Sequence, residues 1–309
     1  MRRAIVTGAA GLLGHHLVEE LSQHGVQVVA LDRGPNPDQL PWFIPMGDAP
    51  WSSVRLNQII DEVRPDVIFH LVGGAVGSQQ ELMALNVGVT TALVEALRHS
   101  PERPLLVCCG SAAEYGAAIV DGVAVDEATP CAPATPYGAA KFAQTTAVLA
   151  FGEATGSPVL VNRIFNMIGP RMASYLALGE FAQQLVRMPR CGGVLRTGNL
   201  RVFRDFIDVR HVAAAFRMLA QNPEARGIVN ICSGEATELS ELVHILIRAS
   251  GRDVRIETQP ERLRPGELNT VIGNPSRLVS LGAVLPRTDC ADIVARLWHD
   301  AELRSAGAV

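Results

Sequence analysis

Arg3-Ala4-Ile5-Val6-Thr7-Gly8-Ala9-Ala10-Gly11-Leu12-Leu13-Gly14 decides how the rest of the chain is read. A strand-forming apolar run goes straight into three glycines, and an amphipathic helical pattern begins at Leu12. At the first turn between a parallel strand and its crossover helix each glycine has a task. Gly8 permits the tight turn, Gly11 lets backbone approach a pyrophosphate, and Gly14 lets helix and strand close up. The first helical N–H groups, those of Leu12 and Leu13, then offer positive dipole to the phosphates. The next apolar run, 26–31, ends on Asp32, about twenty residues further on. A carboxylate there hydrogen-bonds an adenosine ribose 2′-hydroxyl and repels a 2′-phosphate, which favours NAD. Arg33 keeps NADP open, because a guanidinium accepts that phosphate. Asp48 is placed either to accept from the adenine amino group or to sit solvated in a turn.

Outward from this turn the same rhythm repeats. Apolar runs at 3–7, 26–31, 42–46, 66–71, 104–109 and 158–163 alternate with helical patterns at about 12–24, 52–64, 79–99 and 136–155. The runs are nearly continuous rather than alternating, as in strands covered by helices on both faces. The fold expected is α/β: a doubly wound parallel sheet of Rossmann type with a smaller C-terminal substrate-binding domain. After residue 163 the rhythm loosens into Gly-, Pro- and Arg-rich stretches, with helices near 175–188, 209–221 and 238–250 and a strand at 228–231. Residues 1–163 form the dinucleotide-binding domain in this reading, with 204–232 returning to it. Residues 164–203 and 233–309 make the substrate-binding region.

The 309 residues suit two domains or one large α/β unit. Hydrophobic residues are 48% of the chain and aromatic residues only 5%, so Ala, Val and Leu fill the core, and disorder is excluded. A net charge of −4 without a block of like charge lacks the basic footprint of a nucleic-acid binder. Six cysteines without a CxxC pair or interleaved histidines point to reduced thiols in the cytoplasm, with no metal site. No stretch is long and apolar enough for a membrane span, and the apolar run at the start is too short for a signal-peptide core.

Thr135-Pro136 reads as an N-cap followed by proline at the first helical position. Tyr137 and Lys141 then stand four apart on one helix face, separated by Gly138, Ala139 and Ala140. A phenol with a pKa near 10 is a poor acid at neutral pH, and an ammonium one turn away stabilises its phenolate. Tyr137 is thereby a candidate proton donor and acceptor.

These motifs together, TGxxGxxG, a serine in a segment ending Tyr-Gly, and YxxxK, resemble those of the extended short-chain dehydrogenases/reductases, the nucleotide-sugar epimerase/dehydratase/reductase family. The resemblance spans nearly the whole chain. It implies that Ser111, in Gly110-Ser111-Ala112-Ala113-Glu114-Tyr115-Gly116, completes a Ser–Tyr–Lys triad with Tyr137 and Lys141. It also implies cofactor-side roles for the strand end His70-Leu71 and for Asn86, although His70 is equally readable as a packed strand-end residue. Arg163-Ile-Phe-Asn166-Met-Ile-Gly169-Pro170 is similar to the family's RPFNxxGP segment, where the asparagine lies near the sugar diphosphate. Arg204 and Arg264 suit the diphosphate and Glu267 a nucleotide ribose, against the alternative of ordinary surface ion pairs. The pattern is most similar to reductases of GDP-linked 4-keto-6-deoxyhexoses.

The departures bear on the reaction. Family 4,6-dehydratases carry acid and base where this chain has Ala112 and Ala113, and a methyl moves no proton. Glu114 is adjacent, but strand-like alternation turns it away from the pocket. His211 and Val89 also depart from the family pattern. The expected reaction is reduction of a keto group, C4, on a nucleotide-linked hexose by NAD(P)H; 4-epimerisation with retained NAD is the alternative, and a non-catalytic NAD-binding sensor the third. Apolar residues on several faces of the helices at 79–99 and 136–155 (Leu82, Leu85, Val89, Leu93, Leu97, Phe142, Val148, Leu149) suggest a homodimer built on them.

Overall fold

The computed structural model describes residues 1–36, 39–48, 50–263 and 265–306. In strand β1 (Arg3–Thr7), Ala4 and Val6 join one buried cluster and Ile5 another, so the strand is apolar on both faces and must be covered on both. Helix α1 (Leu12–Gln23) follows, then β2 (Gln27–Asp32), β3 (Phe43–Pro45), α2 (Ser53–Val63) and β4 (Val67–His70). A helical stretch follows as α3 (Gln79–Met83), one π turn (Ala84–Gly88) and α4 (Val89–Arg98). Next come β5 (Leu105–Ser111), a short 3-10 helix (Ala112–Glu114), α5 (Pro136–Thr155) and β6 (Val159–Ile164). The later elements are β7 (Asn166–Ile168), α6 (Ala177–Arg187), β8 (Gly193–Thr197), β9 (Phe203–Arg204), β10 (Phe206–Asp208), α7 (Val209–Gln221) and β11 (Gly227–Ile231). They are followed by β12 (Thr237–Glu238), α8 (Leu239–Ser250), β13 (Val254–Thr258), β14 (Thr270–Val271), α9 (Ser276–Ser280) and α10 (Cys290–Ala306).

Seven strands form one sheet in the order β11-β6-β5-β4-β1-β2-β3, every neighbouring pair parallel. The order runs outward in both directions from the β1/β4 pair, which makes the crevice at their carboxyl ends the expected ligand position in a doubly wound sheet. Helices α1 and α7 cover one face through Leu17, Leu21, Phe216 and Leu219. Helices α2, α4 and α5 cover the other through Ile59, Ile60, Leu93, Leu97 and Phe151. A third core joins α6, α8 and α10 around Phe181, Leu185, Leu246, Leu297 and Trp298. Leu278 of α9 returns from the C-terminal part to the α1/α7 cluster. Among the described residues no helix is long and apolar enough to cross a membrane.

The helix expected across 79–99 is continuous in direction but not in winding. Asn86 Nδ2 donates to the Leu82 carbonyl at 2.8 Å, the acceptor that an α-helix would give to the Asn86 backbone N–H. A side chain inserted into the ladder displaces it, and the π turn sits at that residue. The short strands β7 to β10 and β12 to β14 are too brief to carry a periodicity that can be read in advance; β13, for example, has no fully buried residue. Helix α10 does carry one, Ile293, Val294, Leu297, Trp298 and Ala301, and is an element the sequence reading missed.

Candidate active site

The glycine turn lies in the crevice between β1 and β4. Gly8 has φ +71°, and a Cβ there would stand 2.9 Å from the Val72 nitrogen, so the turn closes only with glycine. A Cβ on Gly14 would stand 2.1 Å from the Gly8 carbonyl, which sets how closely α1 crosses β1. Helix α1 starts at Leu12 and Leu13 after Gly11, without a side-chain cap. Such an uncapped start leaves its orphan N–H groups for an anion. Asp32, at the end of β2, accepts from the Ala10 N–H at 2.9 Å and from the Arg33 N–H at 2.7 Å, tying the strand end to the turn. Arg33 and Asp48 are exposed nearby in the chain. The Leu71 N–H donates to the Thr7 carbonyl at 3.1 Å and to its hydroxyl at 3.2 Å, closing the other side of the crevice.

Asn86 and Lys141 both approach the Gly73 backbone. A Cβ built on Gly73 would stand 2.6 Å from Asn86 Oδ1 and 3.5 Å from Lys141 Nζ. The Asn86 side chain donates to the Gly74 and Leu82 carbonyls, while its buried Oδ1 has no hydrogen-bond partner among the described residues. An orphaned acceptor beside a buried ammonium is what a bound polar group would satisfy. Lys141 is the only lysine in a chain with 27 Lys and Arg. It is 3% exposed and donates to the Cys109 carbonyl at 2.5 Å and to Gln144 Oε1 at 2.6 Å. Burial opposes its charge, but Cys109, Tyr137, Cys108 and Glu114 outweigh that and hold its pKa above the ordinary value.

Thr135 caps α5, its hydroxyl accepting from the Gly138 N–H at 3.0 Å, with Pro136 in the first turn. A Cβ on Gly138 would stand 2.5 Å from the Ala113 carbonyl. The first turn of α5, which carries Tyr137, is thereby pressed against the turn that begins at Ser111. The Ser111 hydroxyl accepts from the Ala113 N–H at 3.2 Å, and the Ser111 N–H donates to Glu114 Oε1 at 2.8 Å. Tyr137 and Ser111 are both half-buried.

What commits Glu114 is pairing, not strand alternation: its Oε1 takes the Ser111 N–H and its Oε2 takes Arg163. Glu114 ends a 3-10 helix, is fully buried, and meets Arg163 at 2.9 Å. Arg163, 2% exposed, also lies 4.6 Å over the Tyr115 ring. The two charges are buried and spent on each other.

On the other rim Asn166 is exposed, and its Nδ2 donates to the Asp205 carbonyl at 3.0 Å. Arg204 donates to the Phe203 and Asn269 carbonyls and meets Glu267 at 3.3 Å, so the structure pairs two residues that the sequence assigns to separate ligand groups. Arg264 lies outside the described residues. Gln144, a residue missed in the sequence, is fully buried against Lys141. The available signal was an amide three residues after the lysine, on a helix face otherwise small or apolar.

The profile of the NAD dependent epimerase/dehydratase family matches residues 4–232. A GDP-6-deoxy-D-mannose reductase of Pseudomonas aeruginosa is 28% identical over 286 residues, 90% of each chain. A dTDP-6-deoxy-L-talose 4-dehydrogenase (NAD(P)(+)) of Kitasatospora kifunensis is 30% identical over 262 residues, 84% of this chain and 82% of its own. Among solved structures, RMD from Pseudomonas aeruginosa complexed with NADPH shares the fold at a TM-score of 0.81 and 25% identity, over 98% of both chains. The glycine turn and the Tyr137 helix both fall inside the matched span, and the chain belongs to the NAD dependent epimerase/dehydratase family.

Proposed function

We propose that this protein reduces the C4 keto group of a nucleoside-diphosphate-linked 6-deoxyhexose, with NADH or NADPH as hydride donor. The observation that carries the reading is the seating of α5: Gly138 presses the Tyr137 turn onto the Ser111 turn, and Lys141 stands one turn behind as a buried ammonium that, among the described residues, has no carboxylate in hydrogen-bond contact. The curated relatives act, by their names, as a reductase and a 4-dehydrogenase of 6-deoxyhexoses.

The residues fit a nicotinamide dinucleotide. The uncapped start of α1 suits the pyrophosphate, Asp32 the adenosine ribose, and the Lys141 ammonium with the orphaned Asn86 oxygen the nicotinamide ribose. When bound, the reduced dinucleotide supplies the hydride. Tyr137 gives its proton to the carbonyl oxygen, Ser111 donates a hydrogen bond to that oxygen, and the Lys141 charge favours the phenolate left behind. Asp32 favours NAD, and Arg33 beside it admits NADP. No base for water loss is present in the turn: Ala112 and Ala113 are methyls, and Glu114 is held by Arg163. On the far rim Asn166, Arg204 and Arg264 are assigned to the diphosphate and Glu267 to the ribose, so substrate would part the Arg204–Glu267 pair.

A homodimer through α4 and α5 rests on a narrower face than the sequence suggests. Leu82, Val89, Leu93, Leu97 and Val148 are buried within the subunit, while Met83 and Phe142 stay 38% exposed. Six free thiols, Cys108 and Cys232 among the buried ones, suit a cytoplasmic enzyme. Quantifying the nucleotide released on denaturation tests the reading. Little bound NAD, with reduced cofactor consumed in step with the sugar, is expected; near-stoichiometric NAD and no net consumption would replace it with 4-epimerisation.

A further inference from the structure

Gln144 is fully buried, and its two amide atoms face different groups. An ammonium only donates, so the oxygen must be the atom 2.6 Å from Lys141 Nζ, and the NH2 is the group 2.9 Å from Thr90 Oγ1. Thr90 gives its own proton to the Asn86 carbonyl at 2.6 Å, so its lone pairs accept, from Gln144 and from His70 Nε2 at 2.8 Å. His70 is therefore the Nε2–H tautomer, and its Nδ1 accepts from the Thr7 hydroxyl at 2.9 Å. Burial, with the Lys141 charge, pushes His70 down to about 3, so the ring is neutral at physiological pH. One consistent set of donors and acceptors runs from the glycine turn to the ammonium, and it contains no carboxylate.

We propose that Gln144 is a positioning residue for Lys141: its amide, anchored through Thr90 and His70 to Thr7, fixes where the ammonium stands while leaving its charge uncancelled. The inference rests on the role of Lys141 given above. Of the three N–H bonds, the Cys109 carbonyl and Gln144 take two, and the third has no acceptor among the described residues. The titratable groups facing Nζ are Cys108 and Cys109 on β5, Glu114 on the 3-10 helix, Tyr137 on α5 and His70 on β4. Burial pushes both thiols up, and Glu114 is committed to Arg163. A carboxylate at 144 would hold Nζ as firmly but cancel the field that Tyr137 uses; a thioether would leave one buried N–H without an acceptor.

Because Lys141 is the only lysine, labelling with [ε-13C]lysine gives a single side-chain resonance that reports its charge state. Gln144→Met is expected to lower the titration midpoint of that resonance by about one unit or more, and Gln144→Glu to raise it. In turnover, Gln144→Glu moves the alkaline limb of the kcat profile to higher pH, and Gln144→Met lowers kcat about tenfold with little change in KM. Should Gln144→Met not fold, the near-isosteric Gln144→Glu and Thr90→Val carry the test, Thr90→Val lowering the midpoint by less. Wild-type resonance and pH profile in the folded variants would overturn the proposal. A protein that turned over no sugar would overturn the reductase reading instead and leave the resonance to decide this one.

Discussion

Lys141 and Arg163 are both cations buried to within a few percent, and they are partnered in opposite ways. Arg163 meets a carboxylate, Glu114, at 2.9 Å and lies over the Tyr115 ring, so its charge is cancelled where it stands. Lys141 meets a carbonyl and an amide, so its charge is held in place but not neutralised. Desolvating a charge is costly in either case. The difference is what each charge is left free to do: the arginine holds the Ser111 turn to β6 through Glu114, and the lysine keeps a charge that the proposed mechanism uses.

This contrast is broken most sharply by removing Tyr137 or Lys141. Each of Tyr137→Phe and Lys141→Met is expected to lower kcat by about 10²–10⁴-fold. The double variant should lose little more, because the two act as a unit; additive losses in steady-state kinetics would separate them. Glu114→Gln should act on stability instead, costing about 3–5 kcal/mol in denaturant unfolding by leaving Arg163 unpaired. Turnover per folded molecule should stay close to wild type.

A smaller effect comes from His70, neutral in the fold with a pKa near 3 against 6.5 for the free side chain. Below pH 6.5 the unfolded chain takes a proton that the folded chain refuses, so stability falls as pH drops toward about 3. Unfolding at pH 4.5 should show on the order of 2–3 kcal/mol from this group, a slope that His70→Gln removes. Smallest is Arg204→Ala, whose partly exposed ion pair is worth under about 1 kcal/mol to stability. It should raise KM for the nucleotide sugar about tenfold while kcat holds.

What was legible in the sequence is what local backbone demands fix. The glycines at 8, 11 and 14, the cap at Thr135-Pro136 and the near-continuous apolar runs gave the parallel sheet and put Tyr137 and Lys141 on one helix face, because each works within a few residues. The Glu114–Arg163 pair spans 49 positions and Gln144–Thr90 spans 54, and no periodicity links residues so far apart. The π turn at Asn86 depends on one side chain entering the helix ladder. Arg204 and Glu267 read as separate ligand groups because the two-residue strands β9 and β14, whose pairing brings them together, are too short to leave a pattern in sequence.

Transfer of deuterium from reduced cofactor labelled at nicotinamide C4 tests the reductase assignment most directly. With a nucleoside-diphosphate 4-keto-6-deoxyhexose, mass spectrometry of the product should find a single deuterium at sugar C4 for each cofactor oxidised, and none with Tyr137→Phe. A 4-keto sugar left unreduced while the cofactor binds, or a 4-hydroxy sugar offered in its place and inverted at C4 without net cofactor oxidation, would contradict it.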